Sequence, residues 1–559
     1  MTKPKLECRN AMYFRSNDRS EDDLIVIKEK IHHADGNLEN HIRLIPNFQK
    51  PVYIHKPAFR NYTQKRVWAP KSEMDVYYTT ECKMNDTIKR ALNLPLGIYK
   101  SRKQLCRSPY VYGSDISTSS IVRKKYKDTW PDAVSDSTVA VLDIETNVMS
   151  VRGEIISIAL SFKDKAIVAT TKEFLGNTPL PKEQFYKKLD ELTPDVRNKR
   201  KVNVEFVICD TPSFAIKEVF KRAHEWKPDY IVGWNLMAFD IPKIIENLEY
   251  EGFDPADVLS DPMIPKKFRQ CRYNKGTEVK RTSSGKETPL AGYEQWHWLD
   301  VPASFFFLDA MCVFFHIRRG SPLEENYKLD TILTKYTGRG KLHIEETKDL
   351  EGVDKHRIEQ QYYKIDYLVY NLWDCVGLEV LDEETKDICK KFGVLAGVSD
   401  LGNFTSNPKR LADAIHFYVQ ESEKFNGVLG TVSDQMKTDL DMDVPSLSGW
   451  IVALATERLL DNGLRMVEEL PDFHTKAHAH SSDIDISSGY PNIEITMNMS
   501  KDTTFHELCK IEGLTEDEWR EAGLNMLGGK VNSISFANTV YKLPKPEEVY
   551  RLWEIEQTH

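Results

Sequence analysis

Between residues 138 and 391 the chain switches between a two-residue and a 3.6-residue hydrophobic period, in an order that predicts an α/β layer. The first run, Thr138-Val139-Ala140-Val141-Leu142-Asp143-Ile144-Glu145-Thr146, is apolar and β-branched and ends in two acids. Side chains alternate faces along a strand, so Asp143 and Glu145 point one way and Leu142 and Ile144 the other. Runs at 154–162 and 166–169, parted by Lys163-Asp164-Lys165, predict a hairpin and, with the first run, three antiparallel strands. Ser213 is then expected to cap a helix whose apolar residues Ile216, Val219, Phe220 and Ala223 recur at i, i+3, i+4 and i+7. Pro228 should stop that helix, and Tyr230-Ile231-Val232 resumes a strand. Successive strands followed by helix, strand and helix make an α/β sheet with the acidic strand near its centre.

Two further acids fall at chemically suggestive places. Gly233-Trp234-Asn235-Leu236-Met237-Ala238-Phe239-Asp240 leads from that later strand into a helical run over 243–248. Asp240 thus sits at the rim of the sheet, where α/β folds place ligands, although a plain helix N-cap would occupy the same position. Tyr370 and Asp374 lie four apart within one long helical segment expected from about His356 to Lys391, and so share a face. The most apolar run, 301–317, is short and contains Asp309; it reads as a buried strand or helix and not as a membrane span.

Composition narrows the classes without choosing among them. At 559 residues the chain exceeds one hydrophobic core, and about three to four domains are expected. A net charge of −9 argues against a generally basic nucleic-acid coat, yet phosphate contacts need only a local basic track. Basic stretches at 100–103 and 123–127 read as loops that suit such a track or a solvated face. Nine cysteines without a C-x-x-C pair indicate neither a disulfide framework nor a zinc cluster, and a reducing compartment fits. Lys3, Lys5, Glu7 and Arg9 precede no apolar core, so no signal peptide is expected. Paired carboxylates on a rigid strand suit Mg²⁺ or Mn²⁺, whereas zinc would favour His or Cys.

Asp143-x-Glu145, then Asn235-x-x-x-Phe239-Asp240, then Tyr370-x-x-x-Asp374 resembles, in that order, the three exonuclease motifs of family B DNA polymerases of the T-even-like bacteriophage type. The resemblance implies an RNase H-like 3′→5′ proofreading domain in which Asp143, Glu145, Asp240 and Asp374 hold two Mg²⁺ or Mn²⁺ ions and Tyr370 orients the attacking water. Asn235 and Phe239 would touch the DNA strand. Physics points the same way, because two ions roughly 4 Å apart both activate water and stabilise a leaving oxygen. Four acids around one point would otherwise repel one another and lift their own pKa values. Between the second and third motifs, the basic and aromatic stretch from Lys266 to Gly276 suits a β-ribbon on DNA, with Lys267, Arg269 and Arg272 as phosphate contacts. It matches a strand-separating hairpin of the family in position but not in sequence. Tyr327-Lys328-Leu329-Asp330 and Gly340-Lys341-Leu342 are similar to a family stretch and are assigned packing roles.

Asp485-Ile486-Ser487-Ser488-Gly489-Tyr490-Pro491 is similar to the first polymerase motif of the palm. The resemblance makes Asp485 a metal ligand, Ser488 a triphosphate contact and Tyr490 a steric gate against the 2′-hydroxyl; Asp483 shares a strand face with Asp485 and is a candidate accessory acid, but Asp485 alone has the family spacing. Gly489 stands where the family carries a bulky apolar residue, which should loosen the nucleotide pocket. The fingers motif and the second palm acids have no counterpart here. The expected domains are an α+β N-terminal domain (1–130, rejoined by about 392–440), the exonuclease domain (131–391) and an incomplete palm (441–559). The expected function is the N-terminal part of a split replicative DNA polymerase with proofreading activity; a stand-alone exonuclease and a non-catalytic DNA-binding scaffold are the alternatives. Expected partners are single-stranded and primer-template DNA, dNTP, a second polypeptide carrying the rest of the polymerase and, as a further candidate, a sliding clamp. The expected setting is the cytoplasm, of a host cell if the protein is viral, with no membrane contact.

Overall fold

The computed structural model describes residues 4–393, apart from 19, 63–64, 67, 96–100, 282–286, 320 and 351, together with 426–430, 533–536 and 539–542. Contacts divide the chain into Met1–Leu447 and Ser448–His559. In the second unit the described residues form one antiparallel pair, Ser533–Phe536 with Thr539–Lys542.

The first unit is a mixed α/β structure. Its centre is a six-stranded sheet of β1 (Val139–Thr146), β2 (Ile155–Phe162), β3 (Lys165–Thr171), β4 (Asn203–Cys209), β5 (Tyr230–Gly233) and β6 (Phe306–Asp309), in the order β4-β3-β2-β1-β5-β6. β2 runs antiparallel to both neighbours and the other pairings are parallel. The acidic strand therefore lies inside the sheet, as its unbroken apolar run requires. Its alternation builds two cores. Val139 and Val141 pack with Leu368, Leu372 and Val376 of α3 (Lys364–Thr385) on one face. On the other, Ala140, Leu142 and Ile144 pack with Ile216, Val219 and Phe220 of α1 (Pro212–Trp226) and Ile244 of α2 (Ile241–Tyr250).

Local chemistry departs from expectation at three ends. Helix α1 starts at Pro212, whose missing N–H costs nothing in the first turn, and Ser213 is no cap: its hydroxyl donates to the Asn247 carbonyl at 3.1 Å, tying α1 to α2. The segment expected as one helix from 356 to 391 is three, Gly352–Tyr362, α3 and the wide turn Asp387–Phe392, broken where Tyr363 leaves helical geometry at φ −121° and ψ 40° and where Lys386 turns left-handed at φ 57°. The apolar run 301–317 holds both a strand and a helix, because Asp309 caps Ala310–Ile317 by accepting from the Met311 and Cys312 amides.

Two small antiparallel sheets precede this layer, Lys5–Arg15/Asp23–His32/Leu38–Pro46 and Met74–Thr79/Lys50–His55/Val111–Tyr112. Gly427–Leu429 pairs with Trp68–Pro70, so the chain comes back to the N-terminal region after the central layer. The stretch 123–127 is helical, within Thr118–Thr129, and not a loop. Its cations are engaged close by, Lys124 with Asp128 at 2.6 Å and Arg123 with Asn10 at 3.3 Å. The described cysteines are all free thiols. No helix among the described residues is long and apolar enough to cross a membrane.

Candidate metal centre

Strand alternation aims Asp143 and Glu145 at α3, and the strand register makes room for them. Across the ladder Asp143 faces Ala159 and Glu145 faces Ser157, two small residues that let the helix come close. From α3, Tyr367, Tyr370, Asn371 and Asp374 project at i, i+3, i+4 and i+7, a single face directed at the acids. Carboxylate oxygens of Asp143, Glu145 and Asp374 all lie within 4.8 Å of one another.

Each acid is held by a partner fixed in turn by another. Asn371 Nδ2 donates to Asp143 Oδ2 at 2.7 Å, while its Oδ1 accepts from the Ser157 hydroxyl at 2.7 Å, which sets the amide's orientation. The Tyr367 hydroxyl donates to Glu145. Gln360 braces that tyrosine at 3.2 Å and clamps the end of β1 through the Thr146 carbonyl at 2.8 Å and the Val148 amide at 3.1 Å. Lys341 corrects its packing assignment: its ammonium donates to the Tyr370 oxygen at 2.8 Å and is paired with Asp374. Oδ1 of Asp374 is buried without a hydrogen-bond partner.

Electrostatics follow from this crowding. Burial, then the charge of Asp374, pushes Asp143 up to about 7, although Lys341 and the Asn371 amide work against the rise. Glu145 is raised well above the carboxylate range by burial and then by Asp143. Burial opposes the charge of Lys341, but Asp374 and Asp143 overcome it and keep the ammonium protonated. One lysine thus faces three acids. The donors are all hard oxygens, one buried oxygen has no partner, and negative charge is in excess, so a divalent cation of the Mg²⁺ type fits the residues present.

Asp240 borders this group without joining it. Gly233 ends β5 where a Cβ would stand 2.6 Å from the Leu142 carbonyl, and Asn235 follows with a left-handed φ of 68°. Asp309 accepts from the Asn235 and Met237 amides at 3.2 Å, folding the turn Leu236–Asp240 back over β1. Asp240 then accepts from the Ile144 amide at 3.3 Å and makes no capping bond. Burial, then Asp143, raises it well above the carboxylate range, so it lies within electrostatic reach of the cluster. Phe239 is left 45% exposed beside it.

The expected basic ribbon is arranged differently. Lys266–Phe268 is a single helical turn, Arg272–Asn274 pairs with Trp298–Asp300, and the hairpin lies further on, Val279–Arg281 against Glu287–Pro289. Lys267 is paired with Asp22 at 2.6 Å, and Arg269 with Asp257 at 2.9 Å and with the Ile264 and Pro262 carbonyls. Both cations are structural ties here; Arg272 is exposed and donates to Gln270 at 3.2 Å. Asp485, Ser488 and Tyr490 lie outside the described residues. Tyr367, Asn371, Lys341 and Asp309, which hold the acids or the turn beside them, were not singled out by the sequence pattern. The first two share the helical face of Tyr370 and Asp374, and Asp309 is a lone acid in an apolar run, so three of the four carried a readable signal. No protein-family model matches the chain, and no curated protein matches it.

Proposed function

We propose that this chain hydrolyses phosphodiesters with divalent metal ions, as a 3′→5′ exonuclease on single-stranded DNA, in an RNase H-like domain of the kind its motif order resembles. The observation that carries the reading is the convergence of Asp143, Glu145 and Asp374 on one point, with Asp374 Oδ1 unpartnered. The mixed sheet with helices on both faces is compatible with the RNase H-like expectation. Asp143, Glu145 and Asp374 would hold the ions, with Asp240 joining when cation charge draws the acids together. Bound Mg²⁺ or Mn²⁺ would supply water activation and charge stabilisation of the leaving oxygen. Lys341 donates to the Tyr370 oxygen, which leaves the phenol's own proton to point into the cluster, where it can orient a water. Tyr367 and Asn371 hold Glu145 and Asp143 in fixed rotamers, as precise ligand geometry demands.

DNA synthesis is proposed only as an extension, on the likeness of Asp485, Ser488 and Tyr490 to a palm motif. The nuclease is tested with a 5′-labelled single-stranded oligonucleotide. Shortening from the 3′ end with Mg²⁺ or Mn²⁺, its absence in chelator, and its loss to background in the Asp143→Ala, Glu145→Ala double variant are expected. Equal rates in wild type and double variant would sink the proposal.

A further inference from the structure

Of the four acids expected at the metal centre, Asp240 stands outside the converging three, so whatever fixes its turn decides whether it can join them. Strand β5 pairs with β1 only as far as Val232 and Val141. Beyond that point the Ile144 amide of β1 donates to the Asp240 carboxylate at 3.3 Å. The turn that delivers Asp240 is gripped at Met237 from two sides. Asp309 accepts from the Met237 amide at 3.2 Å, and the Tyr273 hydroxyl donates to the Met237 carbonyl at 2.8 Å. Asp309 belongs to the sheet, whereas Tyr273 comes from the basic stretch 266–276.

Tyr273 is itself held firmly. Its strand Arg272–Asn274 pairs with Trp298–Asp300, and its ring stacks on His297 with centroids 6.0 Å apart and planes at 13°. His297 Nδ1 accepts from the Gly276 amide at 3.0 Å, and a Cβ at Gly276 would stand 2.4 Å from the Trp296 carbonyl oxygen, so the two segments close on each other without slack. The root of the stretch is anchored in the N-terminal sheet. Ile264 and Phe268 pack there with Phe14, Leu24 and Val26, and the Asn17 amide donates to the Lys267 carbonyl at 2.7 Å. A phenol fixed in this way acts as a strut between the basic stretch and the Asp240 turn.

We propose that Tyr273 is a positioning residue for the metal centre: through the Met237 carbonyl it holds the Asp240 turn against β1, where the Asp240 carboxylate can reach cations gathered by Asp143, Glu145 and Asp374. The proposal rests on the metal-dependent reading above and adds to it a fixed link between the basic stretch and the acids. Small hard cations demand near-ideal ligand geometry, so a group that orients a ligand from behind changes metal affinity without touching the metal. Tyr273→Phe keeps the ring and its stack on His297 and removes only the bond to Met237. Tyr186 supplies the comparison, since its hydroxyl donates to the Val204 carbonyl at 3.0 Å on β4, at the far edge of the sheet.

Two measurements on the full chain test this. In EDTA, hydrogen exchange of the 236–240 amides should quicken about fivefold in Tyr273→Phe, the factor that one lost hydrogen bond allows. Calorimetric titration with Mn²⁺ should show the weaker binding event loosened about tenfold in that variant and the tighter one unchanged. Tyr186→Phe should match the wild type in both measurements. In an Asp240→Asn background, Tyr273→Phe should leave Mn²⁺ affinity where it was, because the ligand it positions is already gone. Exchange and Mn²⁺ binding equal to wild type in Tyr273→Phe would overturn this proposal and leave the metal centre standing. Equal losses in Tyr186→Phe, or a further loss in the Asp240→Asn background, would overturn it as well. A wild-type chain that binds no Mn²⁺ would instead overturn the metal centre, and this proposal with it.

Discussion

Asp143 carries the clearest consequence at the scale of single residues. Its pKa rises to about 7 in the folded chain, so between about pH 4 and 7 the native state binds more protons than the unfolded one. Stability from this group is therefore greatest at low pH and declines as pH rises through 7, by an amount on the order of 1–3 kcal/mol. Mg²⁺ should restore it, because a bound cation favours the ionised carboxylate that burial, and then the charge of Asp374, disfavour. Thermal melts at pH 8 are expected to show stabilisation by millimolar Mg²⁺ in the wild type and little in Asp374→Asn, which lacks one of the converging charges. Lys341→Met removes the donor to Tyr370 and the counter-charge to Asp374 together. In the proposed nuclease reaction, turnover should fall by about two orders of magnitude, more than in Tyr370→Phe, which keeps the lysine. A Lys341→Met enzyme with wild-type turnover would show that the ammonium is only a packing element.

Among the elements, β5 and the turn behind it decide where Asp240 and β1 stand. A methyl at Gly233 would press on the Leu142 carbonyl at 2.6 Å and on Leu236 at 3.0 Å, so Gly233→Ala must push β5 from the acidic strand. A cost of about 2–3 kcal/mol in urea denaturation is expected, together with a loss of nuclease activity out of proportion to the stability change. Periodicity reported β1, the hairpin β2–β3 and β5 faithfully, since each buries an alternating or fully apolar strand. It missed the start of α1 and the break before α3. Ser213 is drawn to Asn247, and Tyr363 breaks a helix that composition alone would continue.

For the molecule as a whole, the decisive joint is between the N-terminal sheet and the central layer. Asp229, just before β5, is buried, and its carboxylate takes Lys30 at 2.9 Å, Arg9 at 3.6 Å and the Thr138 amide at 2.7 Å. Burial opposes the Asp229 charge, and Lys30 and Arg9 overcome it and hold the carboxyl below its ordinary range. This contribution is present above the unfolded pKa and disappears as pH falls below about 4. Asp229→Ala would leave the buried Lys30 ammonium with only neutral acceptors, the Asp136 carbonyl and the Ser135 hydroxyl, and the Thr138 amide without its carboxylate, while Arg9 keeps Glu7, at a cost of about 3 kcal/mol. Denaturation at pH 7 should show that loss, and at pH 3 the gap between wild type and variant should shrink.

The chain's linear pattern was sufficient for four strands of the central sheet, β1, β2, β3 and β5, for the facing of Asp143 with Glu145 and for the shared helix face of Tyr370 and Asp374, because strand and helix periods are local properties of the backbone, whereas β4 was not read from it. Only tertiary structure could bring Lys341 to Asp374, turn Asn371 toward Asp143, hold the Asp240 turn with Asp309, and pair Lys267 with Asp22 and Arg269 with Asp257. Those contacts join residues that share no period, and which donor meets which acceptor is fixed by how the layers pack.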